Sequence, residues 1–373
     1  MPIQIKQIQN KKDLKKFILC PYKLYKKSNY WVPPLIKGEL ETLMSEKNPA
    51  FDYCEATYWL ALKDNKHVGR IAGIINHKYI ERWRNKYAGF SRFDFIDDEE
   101  VSKALLNTVE SWAKSKGLDG IHGPIGFTNF DHQGMLVEGF SELPTIASTY
   151  NYNYYPNHVE KFDYKKEQDY LEFEVKVPDE IPEKAVRLTE IVLKKNKLKL
   201  LKVKSKKELL PYARQIFDVI NAAYSPLFTS VELSEKLIDI YIKKYFSYIL
   251  PEYVTIVLDE KDKVVGFQIT MPSLSIAFQK AKGRLVPFGF IHILRALKNP
   301  KCLDMYLVGI LPEYQNKGIS AIFMKELTRI AIPNNIISAE TNSELEDNTK
   351  VQEFWKYYEA RQHKRKRVYV KVF

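Results

Sequence analysis

The first half of the chain alternates hydrophobic and polar residues in a way that predicts strands and helices in a definite order. Apolar runs at 58–62 and 68–73 flank a polar turn, a pattern typical of a β-hairpin. A strand is predicted at 90–95 and another at 120–124, and the apolar residues between them recur at helical spacing over 99–115. The predicted order is hairpin, strand, helix and strand.

The second half repeats this order. Apolar runs at 253–258 and 264–267 flank a polar turn, and a third run lies at 305–311. A helical pattern begins near Gly318, and a strand is predicted at 335–340. Because the same succession of elements occurs twice, we predict that the chain contains two copies of one structural plan.

The segment 304–331 carries the clearest chemical signature. Its strand 305–311 leads into the polar loop 315–318, and an amphipathic helix follows. A strand, a tight loop and a helix arranged in this order present free backbone N–H groups to a phosphate. Lys317 adds a positive charge, and Gly318 allows the backbone to approach a ligand closely. The alternative is an ordinary connection that binds nothing.

The spacing Gln315-x-x-Gly318-x-Ser320 resembles the Q/R-x-x-G-x-G/A loop that binds pyrophosphate in the GNAT acyltransferase superfamily. Ser320 stands where the family has Gly or Ala, and it is small enough for the same close packing. The chain also resembles, over most of its length, a bacterial group of tandem GNAT-like proteins of about this size. The recurring segments are the Gly-Pro strand end at 123–124, the Gly-x-Leu-Val-Glu-Gly-Phe segment at 134–140 and the Tyr-Asn-x-x-Tyr-Tyr segment at 150–155.

The resemblance implies an α/β (α+β) protein with two GNAT-like domains, each a mixed, mainly antiparallel sheet flanked by helices. We expect residues 1–176 to form a domain without a pyrophosphate loop, 177–185 a linker, and 186–373 the domain that binds acyl-CoA. The expected reaction moves an acetyl or longer acyl group from acyl-CoA to an amine by direct attack. The amine belongs to a small molecule or a peptide.

The resemblance also assigns donor-site residues. Backbone groups of Val308 and Ile310 would hold the thioester and pantetheine, and Asn348 would hold the pantetheine arm. The N–H groups expected at the pyrophosphate belong to Gln315, Asn316, Lys317, Gly318, Ile319 and Ser320.

Two residues are candidates for proton transfer. By resemblance, Tyr358 would protonate the leaving thiolate, although strict family spacing puts Trp355 at that position. Glu340, at the end of a strand next to the loop, is the candidate general base. The alternatives are a packing tyrosine and a structural carboxylate.

The first half departs from this pattern at the start of its helix. Four consecutive acidic residues, 97–100, occupy the positions that correspond to the loop. They favour a helix N-terminus but repel a pyrophosphate, at roughly 1 kcal/mol per like-charge pair ~4 Å apart in water and more in a drier site. We therefore predict that the first half is a scaffold or an acceptor-binding half.

The polar, glycine-rich segment 123–134 and the tyrosines after it are candidates for an acceptor site, because such sites form at strand ends. The alternatives are local turn contacts, packing tyrosines and a surface histidine. The candidate residues are Asn129, Asp131, His132, Tyr150 and Tyr154.

Composition limits the remaining choices. The chain has 373 residues, enough for two cores, with 45% hydrophobic residues. No apolar run approaches the roughly 20 residues of a membrane span, and the first residues lack the core of a signal peptide. Three widely spaced cysteines suggest neither a disulfide framework nor a metal site. We expect a cytoplasmic protein without a metal or a membrane span.

The net charge of +12 suggests an anionic partner such as CoA, nucleic acid or anionic lipid. The charge is spread along the chain, which disfavours nucleic acid. The dense run 363–367 is interpreted as a solvated turn before a last strand at 367–373, with the CoA 3′-phosphate, RNA or a membrane surface as alternatives.

The second half also contains an insertion, 273–301, whose apolar residues 286–297 have basic flanks. A buried amphipathic helix is the first interpretation. A pocket for a long acyl chain and a helix in peripheral contact with a membrane surface are the alternatives.

Two other functions stay open at this point. One is a Fem-like transferase that uses aminoacyl-tRNA, which predicts salt-sensitive RNA binding. The other is a non-catalytic protein that binds CoA or another ligand.

Overall fold

The computed structural model describes residues 2–245 and 249–373. Within these residues, strands and helices alternate along the whole chain. The strands are β1 (Gln4–Gln7), β2 (Cys54–Lys63), β3 (Lys66–Asn76), β4 (Tyr87–Phe95), β5 (Gly120–Gly123), β6 (Met135–Glu138), β7 (Lys165–Lys176), β8 (Lys199–Leu201), β9 (Val254–Leu258), β10 (Val264–Pro272), β11 (Cys302–Ile310), β12 (Ser338–Thr341), β13 (Glu344–Leu345) and β14 (Ala360–Val372).

Helices connect these strands and cover both faces of the sheet that they form. They are α1 (Lys11–Leu24), α2 (Ile36–Leu43), α3 (His77–Trp83), α4 (Glu99–Ser115), α5 (Tyr154–Lys161), α6 (Glu183–Lys195), α7 (Lys206–Leu209), α8 (Ala213–Tyr224), α9 (Glu235–Tyr245), α10 (Ser275–Ala281), α11 (Gly289–Lys298), α12 (Ile319–Ala331) and α13 (Thr349–Trp355). No helix among the described residues has the length and apolar character needed to cross a membrane.

The described strands form one continuous sheet, in the order β1-β2-β3-β4-β5-β14-β7-β12-β11-β10-β9-β8, with β6 beside β14 and β13 beside β7. The mixed sheet is mainly antiparallel, as predicted. The last strand of the chain, β14, pairs with β5 and β6 of the first half, whereas β7 pairs with β12 and β13 of the second half. The two halves therefore exchange their final strands.

This exchange bears on the predicted division of the chain. The predicted linker, 177–185, starts directly after β7, and α6 begins inside it. Each half needs the other half's last strand to complete its part of the sheet. The domain boundaries stay a prediction.

Each half contains one pair of parallel strands that separates. β4 and β5 pair only from Tyr87 to Gly89, and β11 and β12 pair only from Cys302 to Met305. Beyond these pairs, β4 and β11 continue on that side without a partner strand among the described residues. The result is one wedge-shaped opening in each half of the sheet.

Apolar helix faces bury the sheet on both sides. In the first half, α4 packs Val101, Leu105 and Val109 on one face of the sheet, as predicted, while α1 covers the other face. In the second half, α12 and α6 cover one face, and α8 and α9 cover the other. The helix caps follow the sequence as well, since the side chain of Asn10 accepts the N–H of Asp13 at 2.9 Å.

The interpretation of 363–367 as a solvated turn is wrong. This run lies inside β14, which begins at Ala360 and not near 367. Lys364 and Lys366 are 1% exposed and contact Glu172 of β7 at 3.3 and 3.0 Å. On the other face, Arg367 contacts Asp169 at 2.7 Å. The run is buried because β7 supplies matching carboxylates, so it does not form a free basic patch for the CoA 3′-phosphate, RNA or a membrane.

The interpretation of the insertion as a buried helix is also wrong. Residues 286–297 lie mainly in α11, as their pattern predicts, but no residue of this helix is buried. Helix α11 packs against α10 and not against the sheet, because α10 is the helix of the insertion that has buried residues.

Candidate functional site

The opening between β11 and β12 exposes one edge of β11. A β-bulge at this point makes Tyr306 an extra residue between Met305 and Leu307, which pair with consecutive residues of β10. Such bulges bend a strand and redirect its backbone groups. The carbonyl of Tyr306 accepts the side-chain N–H of Asn342 at 2.8 Å, and that of Val308 accepts the hydroxyl of Tyr224 at 2.9 Å. Val308 lies beyond the last pair with β12, so it borders the opening, and the residue is 49% exposed.

The loop after β11 has the geometry of an anion site. Asn316 and Gly318 have left-handed backbone conformations, with φ of 61° and 86°. They turn the chain so that the N–H groups of residues 316–320 have no acceptor among the described residues. Gly318 caps α12 without a side-chain hydrogen bond, so the positive end of the helix dipole is open.

Side chains around this loop hold it against the strand and the neighbouring helix. Gln315 donates its side-chain N–H to the carbonyl of Ile310 at 3.3 Å. Lys317 lies over the ring of Tyr314 at 4.6 Å and has no ion pair among the described residues. A Cβ atom on Gly318 would be 2.7 Å from the side chain of Val192, which explains why glycine fits here.

Asn348 and Tyr358 lie on the far side of the opening. Asn348 precedes α13, and its side chain makes no hydrogen bond to any residue that the structure describes. Tyr358 follows the helix, which ends at Trp355. Its ring is 5.2 Å from that of Phe354, in an apolar cluster that includes Met305 at the start of the opening.

The chemistry of these aromatic residues differs. Burial raises the pKa of the Tyr358 hydroxyl to about 12, and this hydroxyl has no partner among the described residues. Trp355 donates its indole N–H to the carboxylate of Glu344, at 3.1 and 3.0 Å to its two oxygens. The hydroxyl of Tyr358 is therefore free to donate a proton. The indole N–H of Trp355 is already hydrogen-bonded and is not a comparable acid.

Glu340 lies directly opposite Asp304 in the parallel pair β11–β12. Lys364 approaches Glu340 at 3.1 Å, yet burial raises the pKa of this carboxyl. Burial, and then the charge of Glu340, raise the pKa of Asp304 to about 7. Asp304 is 3% exposed, and its Oδ1 atom has no hydrogen-bond partner among the residues that the structure describes. A carboxyl that titrates near neutral pH suits proton transfer.

Sequence reasoning missed Asp304 as a functional candidate. Nothing in its immediate sequence distinguishes it from a carboxylate at the start of an exposed strand. Its placement opposite Glu340 depends on the parallel register, which joins residues from two separated segments. A paired-strand prediction for β11 and β12 would have been the only sequence signal.

A buried hydrogen-bond network leads from Glu340 towards the first half. Lys364 contacts both Glu340 and Glu172. Glu172 accepts the hydroxyl of Ser148 at 2.7 Å and that of Ser343 at 2.9 Å. Ser148 in turn lines a cavity in the first half.

This cavity has a volume of about 110 Å³ and occupies the opening beyond β4 and β5. It contains two of the predicted acceptor residues, His132 and Tyr150. His132 approaches the carbonyl of Ile146 at 3.2 Å, and burial lowers the pKa of its imidazole, which favours the neutral form at pH 7.

Two ion pairs line the same cavity. Arg92 contacts Glu39 at 3.5 Å, and Arg70 contacts Asp94 at 2.7 Å. Burial works to raise the pKa of Glu39, but the charges of Arg92 and Arg70 outweigh it and leave the pKa lowered. These two arginines and two carboxylates therefore balance each other's charge at the wall of the cavity.

The other predicted acceptor residues lie elsewhere or serve local contacts. Asp131 accepts the N–H groups of Phe127 and Thr128 at 2.8 and 3.0 Å, as the alternative of local turn contacts proposed. Asn129 lines a separate cavity of about 20 Å³. Tyr154 donates to the carbonyl of Phe95 at 2.6 Å.

The first-half helix α4 has no open N-terminus. The carboxylate of Asp98 accepts the N–H of Glu100 at 3.0 Å and contacts Lys63 at 2.7 Å. Asp97 contacts His158 at 3.0 Å, and Glu99 contacts Lys161. The protein's own carboxylates occupy the space that an anion would need. That this half does not bind CoA stays a prediction.

Comparison with known proteins adds relatives of similar length. No protein-family model matches the chain. The chain is 29% identical over 377 residues to protein YghO of Escherichia coli (strain K12). This alignment covers 98% of this chain and 95% of YghO. It is 25% identical over 311 residues to the bacterial ceramide synthase of Caulobacter vibrioides (strain NA1000 / CB15N). This second alignment covers 81% of this chain and 79% of that protein.

Solved structures match the fold over nearly the whole chain. A tandem GNAT protein from the clavulanic acid biosynthesis pathway matches with a TM-score of 0.57 and 8% identity, covering 99% of this chain and 98% of that one. A GCN5-related N-acetyltransferase from Sphaerobacter thermophilus matches with a TM-score of 0.52 and 9% identity, covering 99% and 95%. At such identities the likeness concerns the fold. The chain has the fold of the tandem GNAT proteins.

Proposed function

We propose that this chain is an N-acyltransferase that takes its acyl group from acyl-CoA, bound in the second-half opening. One observation carries the proposal: the open edge of β11 leads directly to five consecutive free N–H groups at the start of α12. An extended pantetheine arm needs such an edge, and a pyrophosphate needs such N–H groups.

The donor would lie along β11. Residues 316–320 would bind the pyrophosphate, with the charge of Lys317 beside it. The pantetheine amides would pair with β11 near Val308 and Ile310, whose carbonyls they would share with the hydroxyl of Tyr224 and the side chain of Gln315. They would also reach Asn348 across the opening. The thioester would then reach the bulge at Tyr306, close to the cluster that contains Tyr358.

The reaction would proceed by direct attack. The nitrogen lone pair of a neutral amine attacks the thioester carbonyl carbon, and the C–S bond breaks as the new C–N bond forms. Glu340, with Asp304 beside it, would accept the proton from the amine. The hydroxyl of Tyr358 would donate a proton to the leaving thiolate.

A relative suggests the class of acceptor. Ceramide synthase, the name of the Caulobacter protein, denotes the joining of an acyl group to a long-chain amine, and this chain is 25% identical to that protein. The cavity with His132 and Tyr150 lies one buried network away from Glu340 and would receive part of the acceptor. We therefore propose a long-chain lipid amine as the first acceptor to test.

Titration calorimetry with acetyl-CoA and long-chain acyl-CoA tests the donor site. Gly318→Glu would put a carboxylate at the proposed pyrophosphate, so binding should be lost. Gly117→Glu is the matched control, because Gly117 is also left-handed, with φ of 72°, and has open space around it. Lys317→Glu, with Lys261→Glu as its control, tests the same site without crowding Val192.

The outcome separates the remaining functions. Retained binding in both Gly318→Glu and Lys317→Glu would contradict the proposal. Binding of CoA without turnover on a panel of short- and long-chain amines would favour a non-catalytic protein. Strong RNA binding that falls with salt would favour the tRNA-dependent transferase.

A further inference from the structure

The insertion 273–301 presents an apolar surface to solvent. Helix α11 contains no buried residue, and Phe288, just before it, is 70% exposed. Leu294, one turn into the helix, is 59% exposed, and Val286 is 79% exposed. Ile276 of α10 and Phe290 of α11 are also exposed. Several large apolar side chains exposed on one segment are typical of a surface that binds a partner.

The charge of this insertion has one sign. Residues 273–303 contain no Asp or Glu. The basic residues, all exposed, are Lys280, Lys282, Arg284, Arg295, Lys298 and Lys301. None of these six side chains forms a salt bridge with any residue that the structure describes. The cations are therefore free to meet an anionic partner.

The surface is held firmly by the first half of the chain. Ser275 donates its hydroxyl to the carbonyl of Pro144 at 2.7 Å. Gln279 donates to the carbonyl of Trp31 at 3.2 Å and to that of Asn29 at 2.8 Å. The carbonyl of Gly283 accepts the N–H of Ile36 at 3.0 Å. The exposed apolar side chains thus belong to an anchored element.

The anchoring contacts lie at the wall of the cavity described above. Trp31, Val32 and Pro34 line that cavity, and Gln279 is bonded directly to the first of them. A Cβ atom on Gly283 would be 2.8 Å from the carbonyl oxygen of Pro34. The apolar and basic surface therefore borders the wall of the proposed acceptor cavity.

We propose that the α10–α11 segment docks on an anionic lipid surface. Exposed aromatic and aliphatic side chains enter the headgroup boundary, and the surrounding lysines and arginines meet the lipid phosphates. A second copy of the chain is a poor occupant, because an isologous contact would bring two surfaces of the same positive charge together. The docking is independent of the transferase activity, but it would hold the acceptor cavity beside a membrane that contains lipid amines.

Co-sedimentation tests the proposal with two kinds of vesicle, phosphatidylcholine alone and phosphatidylcholine with phosphatidylglycerol in equal parts. The protein should bind the anionic vesicles, and binding should weaken as salt is raised. The double variant Phe288→Ser with Leu294→Ser should reduce the partition coefficient by about tenfold or more. Arg295→Gln with Lys298→Gln should reduce it by about fivefold for each charge removed.

Helix α6 provides matched controls. It also has exposed apolar residues and lysines, but it carries Glu183 and Glu190 as well. Leu188→Ser with Ile191→Ser, and Lys194→Gln with Lys195→Gln, should leave vesicle binding within twofold. Thermal unfolding of each variant reports whether the fold is intact, which is expected because all eight positions are exposed.

Three results would overturn the proposal. The first is no binding to anionic vesicles. The second is an equal loss of binding in the α6 controls. The third is a concentration-dependent dimer, seen by analytical ultracentrifugation without lipid, that Phe288→Ser with Leu294→Ser dissociates, since the surface would then be an interface between copies of this chain.

Discussion

The two openings in the sheet have the same architecture but different chemistry. In the second half, β11 leads to a loop with free N–H groups, and the parallel pair beside it contains Asp304 opposite Glu340. In the first half, α4 begins with its own carboxylate cap, and the paired residues of β4 and β5 contain no carboxylate. One fold thus leaves a helix N-terminus open in one half and caps the equivalent N-terminus with its own carboxylate in the other.

The difference shows that the strand geometry alone does not decide whether the helix N-terminus beside an opening is free to meet an anion. Both openings arise because two parallel strands separate after a few pairs. What distinguishes them is a handful of side chains at one helix N-terminus, where Gly318 leaves space and Asp98 fills it. The first opening keeps a cavity instead, lined by matched charges.

The largest expected effect concerns catalysis in the second opening. Glu340→Gln, and separately Asp304→Asn, should lower the rate of acyl transfer by about a hundredfold or more, because a positioned base contributes that much. Binding of acyl-CoA should change little. The control is Asp97→Asn in the first half, where the carboxylate is two-thirds exposed. Rates that remain unchanged in both second-half variants would remove these carboxyls from the mechanism.

The next effect concerns the exchanged strands that join the two openings. Glu172→Leu would leave Lys364 and Lys366 buried without their shared carboxylate, so the free energy of unfolding should fall by about 3–5 kcal/mol. Glu174→Gln, on the same strand but with an exposed partner, Arg361, should cost about 1 kcal/mol or less. Chemical denaturation measures both. Equal losses would mean that the buried network does not link the halves.

Asp304 should also give the stability an unusual pH dependence. Its pKa in the folded protein is raised from 3.8 to about 7, so the folded protein holds a proton that the unfolded chain releases between these values. The stability contributed by the protonated form is therefore lost as pH rises from about 4 to about 7. Asp304→Asn should raise the free energy of unfolding more at pH 8 than at pH 4.

Denaturation of the native chain and of Asp304→Asn at both pH values measures this difference. Each unit of pKa shift corresponds to about 1.4 kcal/mol. The same raised pKa predicts that acyl transfer falls below about pH 7, because Asp304, which lies beside the proposed base Glu340, becomes protonated there. A pH-independent difference between the two proteins would show that Asp304 has an ordinary pKa.

The smallest expected effect concerns the closed helix terminus of the first half. Asp98→Ala removes the N-cap of α4 and its contact with Lys63, which should cost about 1 kcal/mol of stability. The affinity for acyl-CoA should not change, because the proposed donor site is in the other half. A gain of a second CoA site in this variant would show that Asp98 alone distinguishes the two openings.

Local patterns were enough to predict much of the fold. The two hairpins, helix α4 and its inward residues, and the strand and helix around Gly318 depend on the periodicity of nearby residues and on caps. The loop proposed to bind the donor could be placed between β11 and α12 for the same reason, since its glycine, its polar residues and its helix are consecutive in sequence.

Contacts between distant segments could not be predicted in this way. The local sequence predicts that Lys364 and Lys366 are exposed. The carboxylate that permits their burial belongs to β7, almost two hundred positions earlier in the chain. For the same reason, the acceptor candidates were only partly brought together. His132 and Tyr150 share a cavity, whereas Tyr154 packs against the end of β4.

The sequence by itself determined the two copies of one plan, the glycine loop and the acidic start of α4, because each follows from the chemistry of neighbouring residues. Only the tertiary structure decided the exchange of β7 and β14, the pairing of Asp304 with Glu340 and the exposure of α11. These features depend on which strands pair and which faces are covered. Local hydrophobicity specifies neither feature. A buried charge requires a partner that a distant segment supplies, and an apolar face stays exposed when no distant segment covers it.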